Sequence, residues 1–320
     1  MDILFYTLDF SEKFILPPHS KTIGYISMNT AIELCGNGSF ELVFYSEDLE
    51  EFAKAHPEGL YVIWGDFQGY MTDWQFKEKE KRLFGSHLNS VIHKEVFKPQ
   101  TITKDDTVDN VLNNLIGKND DSVNWINYDS YDGSEIIEYT TDKCMNADKF
   151  LQEYLPKGKM GYLIYAKDHK LYLKAISAKE NPLILSKNNL NVYEIQEDFS
   201  NKNIAYGGWY KKTEEDDGTT LETPTWEYIE LSEKSGVYKQ DVVLSASSPG
   251  TAKEELNKYK KEHEFTCKTR NLKFGVDYNL GDVVRLQHKG TTVKKQVSSV
   301  SLWYEGATYH EEPTLVNWEE

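Results

Sequence analysis

Apolar and polar residues alternate with period two over much of this chain, the pattern of strands buried on one face. In "GSFELVFY" (38–45), Phe40, Leu42 and Phe44 alternate with Glu41, Val43 and Tyr45 and predict a strand with one strongly apolar face. A preceding strand lies in "TIGYISMNTAIEL" (22–34), separated from it by a turn at "GNGS" (36–39). The theme repeats in "YVIW" (61–64) and "FQGYMTDWQF" (67–76), after which "KEKEKRLFGSHLNSVIH" (77–93) leads through a charged segment into another apolar run. This predicts a meander of about five strands. Gly65 and Gly69 flank Phe67 as expected kink positions in a curved sheet.

The period changes after residue 100. Val108, Val111, Leu112, Leu115 and Ile116 fall at i, i+3, i+4, i+7 and i+8, one face of a helix that ends at Gly117. A second short helix is expected in "NADKFLQEYLPKG" (146–158), where Phe150, Leu151, Tyr154 and Leu155 share a face before Pro156. "GYLIYAKDHKLYLKAI" (161–176) then predicts a hairpin, so the segment forms a small α+β unit. Strands return from residue 183 in "LILSKNNLNVYEIQ", "NIAYGGWYKKT" and "TWEYIEL", with "EEDDGTT" (214–220) as a hydrophilic tip between the last two. "PGTAKEELNKYKKEHEF" (249–265) predicts a helix capped by Ser247 or Ser248.

The chain closes in "FGVDYNLGDVVRLQHKGTTVKKQVSSVSLWYEG" (274–306). Gly281 suits a turn that needs positive φ, and the Asp282 carboxylate can fold back onto backbone N–H groups. Gly290 marks a second turn and hence a hairpin. In the returning strand Val293 and Val297 are odd, whereas Val300, Leu302 and Tyr304 are even, so a β-bulge near Ser298-Ser299 is required to keep one face buried. Bulged, bent hairpins make corners of closed sheets. The expected fold class is therefore β-rich α+β: a first small β-barrel domain over 1–98, an α+β insert over 99–182, and a second β-barrel domain over 183–320 with one helix near 249–263.

Composition narrows the function classes. The formal charge of −16, from 52 acidic and 36 basic residues, argues against a surface that grips nucleic acid. No apolar run reaches the roughly 18–20 residues of a spanning helix, and the N-terminus lacks a basic n-region. Cys35, Cys144 and Cys267 are odd in number and far apart, which predicts neither a disulfide framework nor a CxxC metal site and fits assembly in a cytoplasm. Aromatic residues make up 13% of the chain, including 21 Tyr and 7 Trp, favouring pleated surfaces and interfaces.

Candidate chemistry is sparse. His87 and His93 are expected to share a strand face, and His263 with Cys267 has helical-turn spacing, but neither pair has further ligands at metal-site spacing. No GxSxG elbow, P-loop or GxGxxG motif precedes a helix. Asp129, Asp132 and Glu135, and the run Glu214 to Asp217, could serve a carboxylate enzyme or hold a cation, yet read better as solvated turns. Trp209, Tyr210, Trp303 and Tyr304 stand in adjacent pairs. Neighbours on a strand point to opposite sides, so one of each pair is expected in the core and the other against a partner subunit, solvent or a sugar ring. No catalytic, metal or cofactor-binding residue is expected.

The order of these regions, with "GSFELVFY…LYVIWGDFQGYMTDWQFKEKEKRLFGSHLNSVIHKEVF" at the front and Tyr278, Leu280, Gly281, Asp282 and Val283 at the back, resembles the tail-associated hub proteins of phages of Gram-positive bacteria, relatives of the baseplate hub of contractile-tailed phages. The resemblance implies a virion protein of the tail tip without enzymatic activity or cofactor, assembled in the host cytoplasm. It implies a homotrimer whose two barrels per chain adapt the sixfold tail tube to a threefold tip. Its expected neighbours are the distal tail or tube protein, the tape measure protein, and a downstream tip, fibre or receptor-binding protein. DNA would pass through an acidic lumen without specific binding. A wall-degrading role would then belong to another subunit. The alternatives are a carbohydrate- or receptor-binding β module and a cell-wall glycosidase.

Overall fold

Most of the described backbone is strand. The computed structural model describes residues 1–18, 24–77, 80–97, 107–117, 125–130, 145–147, 151–152, 155, 160–196, 204–214, 220–230, 240–244, 264–269, 271–288, 291–305 and 307–318. It divides into two compact units, Met1–Tyr193 with Thr266–Glu320, and Glu194–Phe265.

The first unit opens with β1 (Ile3–Thr7), β2 (Lys13–Leu16), β3 (Tyr25–Glu33) and β4 (Ser39–Phe44). Phe40, Leu42 and Phe44 are all buried, as their alternation requires. A helix that the periodicity had not indicated follows, α1 (Glu47–Ala55). Its signal is short: Ser46 caps it by accepting from the Leu49 N–H at 3.1 Å, and only Leu49 and Ala53 are buried. Next come β5 (Leu60–Trp64), β6 (Phe67–Phe76) and β7 (Lys81–His87). Gly65 is a turn residue at φ +58°, closing the hairpin in which Trp64 pairs with Phe67, and is not a kink. Gly69 does sit inside β6, under the Phe67 ring: a Cβ there would lie 2.5 Å from the Ser86 carbonyl oxygen and 2.8 Å from Phe67 Cε1.

After β7 the chain turns into a 3₁₀ segment, Leu88–Lys94, so His87 and His93 do not share a strand face. His87 caps that segment, its Nδ1 accepting from the Asn89 N–H at 3.1 Å, and its ring is buried against Phe67. Burial pushes the His87 imidazole down to about 3. The unfolded chain, with an ordinary His pKa of about 6.5, takes up a proton that the folded chain refuses, so stability falls as pH drops from about 6.5 toward 3. Between pH 7 and pH 5 this costs about 2 kcal/mol. Urea denaturation at the two pH values should show His87→Gln losing about 2 kcal/mol less than the parent chain; an equal loss would mean the ring does not stay neutral.

The insert contains β8 (Val96–Phe97), α2 (Val108–Leu112), β9 (Ile126–Asp129), β10 (Met145–Asn146), β11 (Met160–Lys167) and β12 (Lys170–Ser177). Val108, Val111, Leu112 and Ile116 are buried as the helical spacing predicts, α2 passing into a π turn over Asn113–Gly117. Ala147, Leu151 and Leu155 fill the same core with Tyr162, Ile164, Leu171 and Leu173; Phe150 and Tyr154 lie outside the described residues. β11 and β12 form the expected hairpin, and β9 joins β12 in parallel.

Then follow β13 (Lys179–Leu185), β14 (Leu190–Gln196), β15 (Ile204–Glu214), β16 (Thr220–Glu230), β17 (Gln240–Leu244), β18 (Glu264–Thr269), β19 (Asp282–His288), β20 (Thr291–Glu305) and β21 (Thr308–Asn317). The second unit is a three-stranded sheet in the order β16-β15-β17, with β15 and β16 antiparallel across the 215–219 tip, itself outside the described residues. The predicted helix near 249–263 also lies outside them. Cys267 is in β18, a strand; His263 lies outside the described residues.

The main sheet of the first unit runs β21-β20-β3-β4-β7-β6-β5-β1-β2, with β19 beside the N-terminal half of β20 and β13 parallel to β19. β20 shifts register between Val297 and Ser299, at the expected bulge, and Val297, Val300, Leu302 and Tyr304 are all buried across it. Val293, which the parity pattern placed inside, is exposed. The chain is thus β-rich with few helices. Two small closed barrels are not what the strand order gives: β3 from the first region bonds directly to β20 from the last, and among the described residues no ring of paired strands closes.

Candidate functional site

Two features of the first unit concentrate the residues singled out by sequence. One is a joint around the Gly281-Asp282 turn. Gly281 has φ +83°, its N–H donates to the Val297 carbonyl at 2.9 Å, and a Cβ on it would press 3.0 Å from Ile176 Cγ2. Asp282 is buried and its Oδ2 accepts from the Asn279 N–H at 2.9 Å and from Asn181 Nδ2 at 2.8 Å. The loop ahead of it is held by two more carboxylates. Asp277 Oδ2 accepts from the Lys273 N–H at 2.7 Å, and the buried Glu311 accepts from the Tyr278 hydroxyl at 2.9 Å and the Phe274 N–H at 3.1 Å.

The bulge in β20 supplies the other half of the joint. Its Ser298 carbonyl accepts from the Leu34 N–H at 2.8 Å, and the Leu34 carbonyl in turn accepts from the Tyr162 N–H at 3.0 Å. The bulge therefore exposes two consecutive carbonyls to two different segments, Val297 to the turn and Ser298 to the strap that leads to the insert. The Gly-Asp pair is where the closing hairpin, the first β region and the insert meet. Asp282→Ala should cost about 2 kcal/mol, since both bonds are charge-assisted and the Asn279 N–H loses its acceptor. Urea denaturation checks the magnitude, and faster tryptic cleavage after Lys273 is expected. Unchanged stability would remove the turn from the joint.

The second feature is a groove on the outer face of the main sheet, about 510 Å³, lined by residues of β3, β4, β6, β7 and β20. Strand register explains it. One cross-strand row reads Trp303, Asn29, Glu41, Phe84, and the row beside it reads Ser301, Ala31, Ser39, Ser86. A row of small side chains next to a row of large ones leaves a trough across the strands. Trp303 is half-buried and stacks on His310 with ring centroids 5.1 Å apart and planes 19° apart. Glu41 is held by Arg82, whose Nη1 donates to it at 2.5 Å while Nη2 donates to Glu80 at 2.6 Å. Tyr304, the other member of its pair, is buried against Tyr25 at 5.1 Å.

The remaining predicted residues disperse. Trp209 pairs with Thr225 and Tyr210 with Pro224 in the second unit. Asp129 Oδ2 accepts from the Tyr165 hydroxyl at 2.6 Å on the outer face of the insert sheet, a use that fits a structural carboxylate; Asp132, Glu135 and Gly290 lie outside the described residues. Burial pushes the Cys35 thiol up to about 12, and it donates weakly to the Met160 carbonyl at 3.5 Å. Among the described residues no three His, Cys, Asp or Glu side chains converge on a point fit for a metal, and no helix is long and apolar enough to cross a membrane. The groove residues Asn29, Ala31, Glu41 and Phe84 were not foreseen as a site, because the rows exist only once β20 is set against β3 across some 270 residues of sequence.

No protein-family profile matches the chain, and no curated protein matches its sequence. Solved structures do match over nearly its whole length. The 43 kDa tail protein of prophage MuSo2 from Shewanella oneidensis is similar with a TM-score of 0.59 at 12% identity, covering 99% of this chain and 98% of its own. The tail protein from Neisseria meningitidis MC58 gives 0.59 at 10%, covering 99% and 97%. The prophage tail protein gp18 from Listeria monocytogenes EGD-e gives 0.55 at 15%, covering 100% and 95%. At such identities the likeness is one of fold: this chain has the architecture of these tail proteins.

Proposed function

We propose that the chain is a structural protein of a phage or phage-like tail, acting at the tail tip as a hub. The observation that carries this reading is end-to-end likeness to three tail proteins in which nearly every residue of both chains is covered despite 10–15% identity. Likeness that spans both chains from end to end is harder to reach by chance than one common sheet. The finer form of the proposal is a homotrimer around an open lumen, in a phage of a Gram-positive host. In it the β regions 1–98 and 183–320 are the two barrel-like modules of each chain, 99–182 is the insert, and sheet closure is completed in the ring.

The role is physical. A net charge of −16 disfavours a counter-ion surface for phosphates and fits a lumen that DNA crosses without being held. The ring would stand between the tail tube or distal tail protein on one side and the tip, fibre or receptor-binding protein on the other, with the tape measure protein ending at its lumen. On this reading Trp209 and Tyr210 serve subunit contacts and the Gly281-Asp282 turn holds the chain's own fold; neither performs chemistry.

Electron microscopy of the purified full chain at high concentration, averaged in top view, tests it. Threefold rings with an open centre are expected, with a mass by light scattering of three chains. Monomeric particles at every concentration would overturn the trimer, and retention of duplex DNA at low salt would overturn the passive lumen.

A further inference from the structure

We infer that the groove across β20, β3, β4, β7 and β6 is a binding site for a short, neutral oligosaccharide. This inference goes beyond the hub reading and does not depend on it.

The lining chooses the ligand by elimination. A protein partner is disfavoured because the cores of protein interfaces are poor in Ser, Ala and Glu, whereas Ser39, Ser301, Ala31 and Glu41 form this trough. A nucleic acid would need Lys or Arg, and none lines the groove. An apolar ligand would leave Asn29, Glu41, Thr72 and the serines without hydrogen bonds on burial. An acidic sugar would face the Glu41 carboxylate. What satisfies all of these is a molecule with many hydroxyls and flat apolar faces, which is the surface of a neutral hexose ring.

Each part has a role. Trp303 and Phe84 stand at the two ends of the large row, with Asn29 and Glu41 between them. The electron-rich faces of the aromatic rings suit the C–H edges of a pyranose. Asn29 offers both a donor and an acceptor, and Glu41, pinned by Arg82, offers an oriented acceptor without rotamer freedom to lose on binding. Stacking on His310 likewise fixes the indole of Trp303. The small row supplies depth: Ala31 lies between Ser301 and Ser39 at its centre. At about 510 Å³ the groove is within the roughly 300–1,000 Å³ range of small-ligand sites and is an open channel, which suits a segment of a chain better than a single ring.

The test titrates the full-length protein with cellotetraose and with its N-acetylated counterpart, read by calorimetry and by tryptophan fluorescence. Saturable binding of at least one, with Kd of about 1 mM or tighter, is expected. Trp303→Ala, and Ala31→Leu, which fills the trough from its floor, should each weaken binding at least tenfold. Asn29→Ala, at an exposed strand position, should weaken it severalfold with an unchanged melting temperature. Trp74→Ala removes an indole that is 44% exposed elsewhere and should bind as the parent does. Absence of saturable binding for both tetrasaccharides overturns the inference, as does parental affinity in a folded Ala31→Leu protein. So does a Trp303→Ala protein that keeps its sugar affinity but loses oligomer mass, which would make the groove a protein interface.

Discussion

Gly85→Ala should lower the stability of the first unit by about 3 kcal/mol, the upper range for an overfilled core. Gly85 is buried in β7 opposite Met71, at the place where β6 shifts register between Met71 and Asp73. A Cβ built on it would lie 2.1 Å from the Tyr70 carbonyl oxygen and 2.1 Å from Phe40 Cε1. The ring could swing away; the carbonyl cannot without breaking the β6-β7 ladder. The Phe40 ring uses the space that the missing side chain leaves and meets Phe67 edge-on at 5.7 Å, while Phe67 itself covers Gly69. Two glycines capped by two phenylalanines thus bend this pair of strands and close the core beneath them. For a unit of this size 3 kcal/mol corresponds to a melting point lower by about 6 °C. Ser86→Ala, one residue along, should stay within about 0.5 kcal/mol of the parent chain. Equal melting points for the two variants would show that the sheet has slack at the bend.

These glycines mark where local pattern ends and tertiary geometry begins. Alternation identifies the face of β4, helical spacing identifies the buried side of α2, and the parity change between Val297 and Val300 locates the β20 bulge, because each signal lies within one element. Gly65 and Gly69 look alike in sequence, yet one closes a tight turn and the other makes room for a ring. Telling them apart requires knowing that Trp64 pairs with Phe67. Residues 88–94 have the apolar content of a strand but fold as a 3₁₀ segment, because His87 and Asn89 turn the chain there by a side-chain cap. The Gly281-Asp282 pair was legible as a turn; that its amide would be received by the bulge of β20 was not. The groove is further still from local pattern, since its two rows are assembled from four strands, and among its residues only Trp303 is a candidate site in the sequence.

Asn89→Ala is expected to cost about 3–5 kcal/mol, because one side chain makes two of the four hydrogen bonds that stand in for a missing neighbour strand of β11. One edge of β11 is paired with β12. Along the other edge the Tyr162 N–H donates to the Leu34 carbonyl at 3.0 Å, the Ile164 N–H to Asn89 Oδ1 at 2.7 Å, and the Ala166 N–H to Gln68 Oε1 at 2.6 Å. Asn89 Nδ2 also donates to the Glu33 carbonyl at 3.1 Å and to the Tyr162 carbonyl at 3.4 Å, so a single buried amide ties the end of β3 to the insert. Alanine would leave the buried Ile164 N–H without its acceptor, a penalty of about 1–3 kcal/mol, take a donor from the partly buried Glu33 carbonyl, and open a cavity as well. Asn89→Asp separates the parts, since it keeps an acceptor for Ile164 but puts a carboxylate against two carbonyls. Gln68→Ala, only partly buried, should cost about 1 kcal/mol. Hydrogen exchange is the discriminating measurement: in Asn89→Ala the amides of β11 should exchange far faster while those of β3 and β4 change little, since the loss undocks the insert before it unfolds the main sheet. Uniformly faster exchange across both would mean that insert and sheet unfold as one, and that the joint at Leu34 and Gly281 outweighs Asn89 in holding them together.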